Sequence, residues 1–440
     1  MNIKKIVTKF NSQIRKLDLM KSQFCNCPGK DFTRDRKLSF ESTIRTILCF
    51  GGGTLTNELL KINRFSIDTP SSSAFVQQRA KISPEAFAKL FDMVNQAFDA
   101  KSQYKGYRLM TVDGSHLHVP TNVYDPDSFV KCKESERPHS EFHLNAMFDI
   151  LQEVYVAAVI QKYRTQNEDQ AMIEMVENSQ FTNALVICDR GYESYNNMAH
   201  LQTSRWKYVI RIKEPGGNGI ADGFDLPDSE EYDLPINLTL TRRKNKEVKA
   251  LLENRNRYRY IPGRVNFDYL TREFTRKDPV QYFSLNFRIV RVKIKEDSYE
   301  MMVTNLSREE FPAEELKKLY AMRWGIETSF RNLKHITGLL KFHSRKSESV
   351  VQEIYANLIM YNMTKYVSSC IQLSEKETKH EYIINFSVAA NIVKSLMLRD
   401  ISPPNAEILL RKNVTPVRPN RSYPRNPRAK AQIQFMYRIA

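Results

Sequence analysis

NALVICDRG, residues 183–191, is the stretch whose reading decides the fold. Five apolar residues run unbroken from Ala184 to Cys188 and stop at Asp189, with Gly191 just beyond. A short continuous apolar run closed by turn residues reads as a strand buried on both faces. Helical texture lies on either side, in EDQAMIEMVENS (168–179) and SYNNMAHLQTS (194–204), and KYVIRIK (207–213) supplies a further strand. Upstream, RLMTVDG (108–114), HLNAMFDI (143–150) and VYVAAVIQK (154–162) are strand-like, the last two joined by a turn at residues 151–153. Three strands followed by helix, strand, helix, strand predict a mixed α/β sheet.

The flanking texture differs. Residues 1–100 read as helical, with FESTIRTILCFGGGTLTNELLKI (40–62) broken at Gly51–Gly53. In SSSAFVQQRAKISPEAFAKLFDMVNQAF (71–98), a short helix meets a second one, for which Ser83 is the expected N-cap and Pro84 the first residue. Such a pair, with Arg79 and Lys81 near the turn, suits a helix-turn-helix-like DNA module or an ordinary helical hairpin. Residues 215–300 are polar and strand-like in LPINLTLTR (234–242), RVNFDYL (264–270), YFSLNFRIVRVKI (282–294) and SYEMMVTNL (298–306). Helical texture returns at Pro312. The expected organisation is a helical region over 1–100, a sheet core from 101–214 and 301–345, a β-strand insertion over 215–300, and a helical region with a basic tail over 346–440.

With 440 residues, 41% of them hydrophobic, the chain can bury a sizeable core. No apolar run reaches membrane-spanning length and the first ten residues lack a secretory segment, so an intracellular, cytoplasmic protein is expected. The six cysteines are scattered, and Cys25-x-Cys27 without a second pair is a poor zinc site, so reduced thiols are expected. Lys and Arg number 67 against 50 acids, a net charge of +17. That excess is concentrated in residues 1–21, in RRKNKEVKALLENRNRYR (242–259) ending beside Tyr258 and Tyr260, and in a proline-containing tail after Arg411. Three separated basic stretches suit a long polyanion such as nucleic acid.

Asp113 and Asp189 both end apolar strand runs, in TVDGS and ICDRG, where open α/β sheets place their ligands. Taken singly, each reads as a turn former beside glycine; the repetition points to a site. The third carboxylate lies in YAMRWGIETSFRNLK, residues 320–334. On one continuous helix Tyr320, Arg323, Glu327, Arg331 and Lys334 fall within about 40° of a single line. Ion pairing of Glu327 with Arg323 or Arg331 would account for part of that stripe. Trp324, about 100° off the line, is expected in the core. Three convergent carboxylates would suit two Mg²⁺ ions, or Mn²⁺, and Arg and Lys beside them would suit phosphate. His116 and His118 are expected to be structural or surface residues.

Tyr320-x2-Arg323-x3-Glu327-x6-Lys334, with Asp113 in TVDGS and Asp189 in CDRGY, resembles the Y-R-E-K signature of insertion-sequence DDE transposases of the fourth IS family. The resemblance covers about residues 70–345. It implies a ribonuclease H-like catalytic core, with Asp113, Asp189 and Glu327 as the metal-binding catalytic triad. Tyr320, Arg323 and Lys334 would grip the transposon end, and Arg190 and Arg211 match basic positions beside the catalytic strands. Arg331 is outside the signature and reads as a further phosphate contact or as Glu327's neighbour. The family further implies a homodimer acting in trans on double-stranded DNA with terminal inverted repeats and on a target DNA. A catalytically silent DNA-binding descendant, or a metal-dependent nuclease without strand transfer, are the competing readings.

Overall fold

The computed structural model describes residues 1–34, 36–131, 138–272, 281–373 and 381–417. The basic tail beyond Val417 and Cys132 lie outside the described residues. Five helices open the chain: α1 Ile3–Leu19, α2 Phe40–Leu48, α3 Leu55–Ile62, α4 Ser72–Arg79 and α5 Glu85–Phe98. Ser39, Thr54 and Ser71 cap α2, α3 and α4, each side-chain oxygen accepting an N–H three residues on, a contribution of about 1 kcal/mol per cap. The expected Ser83 cap on α5 is absent: Pro84 holds the N-cap position with no side-chain cap bond, and Ser83 instead accepts from Ala86 N–H through its carbonyl.

The central sheet follows, with β1 Arg108–Val119, β2 Phe129–Val130, β3 His139–Asp149, β4 Val154–Lys162, α6 Glu168–Glu177, β5 Ala184–Cys188, α7 Tyr195–Thr203 and β6 Lys207–Ile212. β1, β3 and β4 form an antiparallel meander, and β5 and β6 join parallel to β1, giving the order β4-β3-β1-β5-β6. This is a ribonuclease H-like arrangement, and the whole is a mixed α/β fold.

The residues after β6 contribute β7 Tyr232–Thr241, α8 Lys246–Leu252, β8 Tyr258–Tyr260, β9 Tyr282–Lys295 and β10 Ser298–Thr304. Their strands form no separate sheet. β10 pairs antiparallel with β6, so β10-β9-β7-β8 extends the central sheet. RVNFDYL, expected as a strand, is irregular because a side chain takes its backbone acceptors. The buried Arg242 guanidinium donates to the carbonyls of Pro262, Val265, Phe267 and Leu270. Arg255 and Arg259 likewise donate to the carbonyls of Asp222 and Gly223. Part of that basic run therefore holds the insertion together instead of facing a polyanion.

The chain closes with α9 Ala313–Met322, α10 Trp324–Asn332, a π-helical turn at Leu333–Thr337, α11 Ser347–Ser369, β11 Tyr382–Ile384, α12 Phe386–Met397, α13 Pro403–Lys412 and β12 Val414–Pro416. The first and last helices share one apolar core with α10 and one face of the sheet, including Phe10, Phe91, Leu117, Phe142, Phe330 and Ile359. Arg79, read as a possible DNA contact, is 2% exposed and paired with Glu353 of α11 at 2.7 Å. The α4–α5 turn is thus docked on α11 through that arginine. Asn362 adds a second tie, accepting from Tyr155 N–H on β4 and donating to Tyr155 O and to Asn95 of α5. Among the described residues no helix is long and apolar enough to cross a membrane.

Candidate active site

β1 and β5 run parallel with Thr111 opposite Ile187, so Asp113 and Asp189 lie at the same level two residues further on. Asp189 directly follows β5 as expected, but Asp113 lies within β1, which continues to Val119 because its pairing with β3 carries it past the apolar run. Strand alternation then sets their direction. Leu109, Leu185 and Ile187 pack under Leu316, Leu319 and Tyr320 of α9, while Leu117 packs with Ile326 and Phe330 of α10. The odd-numbered side chains of both strands therefore face these helices, and Asp113 and Asp189 with them. Glu327 reaches the same place from α10. Three acidic residues from elements 76 and 138 residues apart in sequence (189 − 113 and 327 − 189) are thus near enough for the charges of Asp189 and Glu327 to act on Asp113.

The effect of these surroundings falls on Asp113. Burial pushes the Asp113 carboxyl up to about 6, and the negative charges of Asp189 and, less strongly, Glu327 add to the rise. Gly114 N–H and Arg323 pull the other way without cancelling it. Asp113 Oδ1 accepts from Gly114 N–H at 2.9 Å, Asp189 Oδ1 from Gly191 N–H at 2.8 Å, and Glu327 Oε1 from Arg323 Nη2 at 2.6 Å. Each carboxylate keeps a second oxygen clear of these bonds. An all-oxygen, under-neutralised donor set of this kind fits a hard divalent cation.

The helix carrying Glu327 departs from the single stripe the sequence predicted. Helix α9 ends at Arg323, where i→i+3 bonds (Arg323 N–H to Tyr320 O, Ile326 N–H to Arg323 O) tighten the chain before α10 begins. At the other end a π turn widens it from Leu333. These two irregularities spread the predicted residues over different environments. Tyr320 is 4% exposed, its ring flanked by the guanidinium groups of Arg211 and Arg323 at 5.9 and 5.7 Å, so no base can stack on it as placed. Arg323 is buried, with Nε unpaired. Burial disfavours its charge, but Tyr320, Glu327 and Asp113 outweigh that and raise its pKa.

Lys334, set in the π turn, donates to His116 O on β1 at 2.9 Å. Burial holds its pKa below the ordinary lysine value, opposed by Asp113 and Glu141. Arg211 on β6 also pairs with Glu300 at 3.5 Å. Arg190 follows Asp189 directly and is exposed, as is Arg331 on α10.

Trp324 corrects an expectation. It is 51% exposed instead of buried, because the tightened turn at Arg323 gives the core positions of this level to Ile326, Ser329 and Phe330. The Arg323 guanidinium lies 5.4 Å from its ring. His116 and His118 lie on the even-numbered face of β1, away from the carboxylates. Cys25, Cys27, Cys49, Cys188 and Cys370 are free thiols, and Cys25 is buried where Cys27 is exposed.

The family model for the transposase DDE domain matches residues 104–363. A curated relative, the transposase InsG for insertion sequence element IS4 of Escherichia coli (strain K12), is 21% identical over 389 residues, covering 83% of this chain and 79% of the relative. A solved structure, the cryo-EM piggyBac transposase synaptic complex with hairpin DNA, aligns over 90% of this chain and 79% of that chain, with 12% identity and a TM-score of 0.42. Since the matched domain spans more than half of the residues, the chain belongs to the DDE-domain transposase family.

Proposed function

We propose that this transposase binds the terminal inverted repeats of its insertion sequence and cleaves and joins DNA through Asp113, Asp189 and Glu327. The observation carrying this reading is that Asp113, raised to about 6 mainly by burial, is pushed further by the charges of Asp189 from the next strand and Glu327 from α10. Such a site is held in deficit of positive charge. Two Mg²⁺ ions, or Mn²⁺, are the cofactors it suits; when bound they would activate a water or 3′-hydroxyl and stabilise the leaving oxygen at a phosphodiester.

The chain's own groups have distinct tasks in this reading. Arg323 holds Glu327 in place through its 2.6 Å bond. Tyr320 acts by positioning, since its buried ring fixes the guanidinium groups of Arg211 and Arg323. Lys334, Arg331 and Arg190 supply cations for the DNA backbone. Exposed Trp324 offers a ring on which a displaced base could stack. The protein acts as a homodimer on paired ends, each copy cutting in trans.

The test is Mg²⁺-dependent cleavage and strand transfer on a duplex carrying the element's terminal repeat. Glu327→Gln is expected to reduce both to background while end binding persists. Cutting retained in that variant would remove Glu327 from the site, and cutting without joining in the unaltered protein would favour a plain nuclease.

A further inference from the structure

The reverse face of β1 carries a second cluster with different chemistry. His118 lies directly opposite Glu141 in the β1–β3 register, and His139, two residues before Glu141, is their diagonal neighbour. Period-two alternation puts all three side chains on one face. Asp113, an odd-numbered residue of the same strand, points to the other. One donor atom from each of His118, His139 and Glu141 can be chosen so that all three lie within 4.8 Å of one another. Glu141 Oε2 is 3.5 Å from His118 Nδ1 and 3.6 Å from His139 Nε2.

These separations are too long for good hydrogen bonds. They match the edges of a coordination tetrahedron: with metal–ligand bonds of about 2.0–2.2 Å, neighbouring donors lie roughly 3.3–3.6 Å apart. His118 Nδ1 is buried and has no hydrogen-bond partner. The carboxylate is oriented from behind, because His116 Nδ1 holds Glu141 Oε1 at 2.7 Å and leaves Oε2 toward the two rings. A partner that fixes one oxygen while the other ligates is the usual outer shell of a metal site.

We propose that His118, His139 and Glu141 bind a zinc-class divalent transition-metal ion, at a site separate from the three acidic residues across the sheet. Two imidazoles with one carboxylate select Zn²⁺ over Mg²⁺. The ion ties the far end of β1 to the start of β3. Its mechanical consequence reaches the active site, because Lys334 is anchored on His116 O in that same segment of β1.

Full-length protein without an affinity tag, purified in the absence of chelators and dialysed against Mg²⁺ buffer, should retain about one zinc per chain by elemental analysis. Co²⁺ added to the zinc-free protein should give tetrahedral d–d absorption. His118→Ala and Glu141→Gln should each abolish both signals, and His116→Ala should weaken Zn²⁺ binding about 10–100-fold. Asp113→Asn should leave the zinc content unchanged, so that the result is independent of whether the carboxylate site cleaves DNA. Unaltered protein that retains no zinc and gives no tetrahedral cobalt spectrum would overturn the proposal, whatever the variants do. Loss of zinc in Asp113→Asn alone would overturn it as well.

Discussion

Two buried acid clusters in this protein are built to opposite ends. In the helical region Glu353 is 3% exposed, yet it is fully answered. Arg79 Nη1 reaches its Oε1 at 2.7 Å, while His343 donates to Oε2 through its backbone N–H at 2.9 Å. Burial would raise its pKa, but Arg79 and His343 prevail and hold it below the usual glutamate range. On the interior strand β1, burial raises the pKa of Asp113 to about 6, and its neighbours Asp189 and Glu327 add to that rise where Arg323 and Gly114 N–H fail to cancel it. The lesson is that burial of a carboxylate says little by itself. A cluster whose charges close internally is structural, and one left in deficit is waiting for cations from outside.

The comparison can be broken by experiment. The largest stability effect is expected for Arg79→Ala, which leaves Glu353 buried without its main partner. Chemical denaturation should show a loss of about 3–5 kcal/mol. A loss below about 1 kcal/mol would mean that Glu353 is not held by that pair. Because its folded-state pKa is depressed, the stability Glu353 contributes is present above its unfolded value and disappears as the pH falls.

Asp113→Asn should act in the reverse sense. The folded-state pKa of Asp113 lies above its ordinary 3.8. Its favourable contribution therefore exists at low pH and is lost as the pH rises through about 6. Without divalent ions, the variant should be more stable than the parent by roughly 1–3 kcal/mol at pH 7.5. The gain should vanish in melts below pH ~4. Equal stability at both pH values would show that neither burial nor the neighbouring carboxylates disfavour the charged form of Asp113. The smallest effect is expected for Trp324→Ala, which should weaken end-DNA binding by about 1 kcal/mol in an anisotropy titration, without altering the melt. Unchanged binding would leave Trp324 as an exposed ring with no role in the complex.

Much of the sheet was legible in the sequence. Ala184–Cys188 and Lys207–Ile212 are short apolar runs with sharp ends, and such strands depend little on distant partners. Asp113 and Asp189 were legible for the same reason, since each terminates a run. Other readings failed where a side chain elsewhere overrode local preference. RVNFDYL has strand composition, but Arg242 takes the carbonyls a neighbouring strand would need. Trp324 was assigned by projection on an ideal helix, and the helix breaks at Arg323. The pairing of His139 and Glu141 with His118 had no local signal, because antiparallel register joins residues about twenty positions apart.

What the sequence determined by itself was the order of strands and helices, the acidic residues that close the apolar runs of β1 and β5, and the spacing Tyr320, Arg323, Glu327, Lys334; that β1 continues past Asp113 came only from its pairing with β3. Apolar periodicity and turn chemistry act over a few residues and can be read from neighbours. The tertiary structure decided which charges face a shared site and which are consumed as structure. Arg79 and Arg242 look no different in sequence from Arg331, yet they are buried against a carboxylate and against carbonyls, while Arg331 stays exposed. A charge takes its role from the groups that desolvate and oppose it, and those arrive from distant parts of the chain.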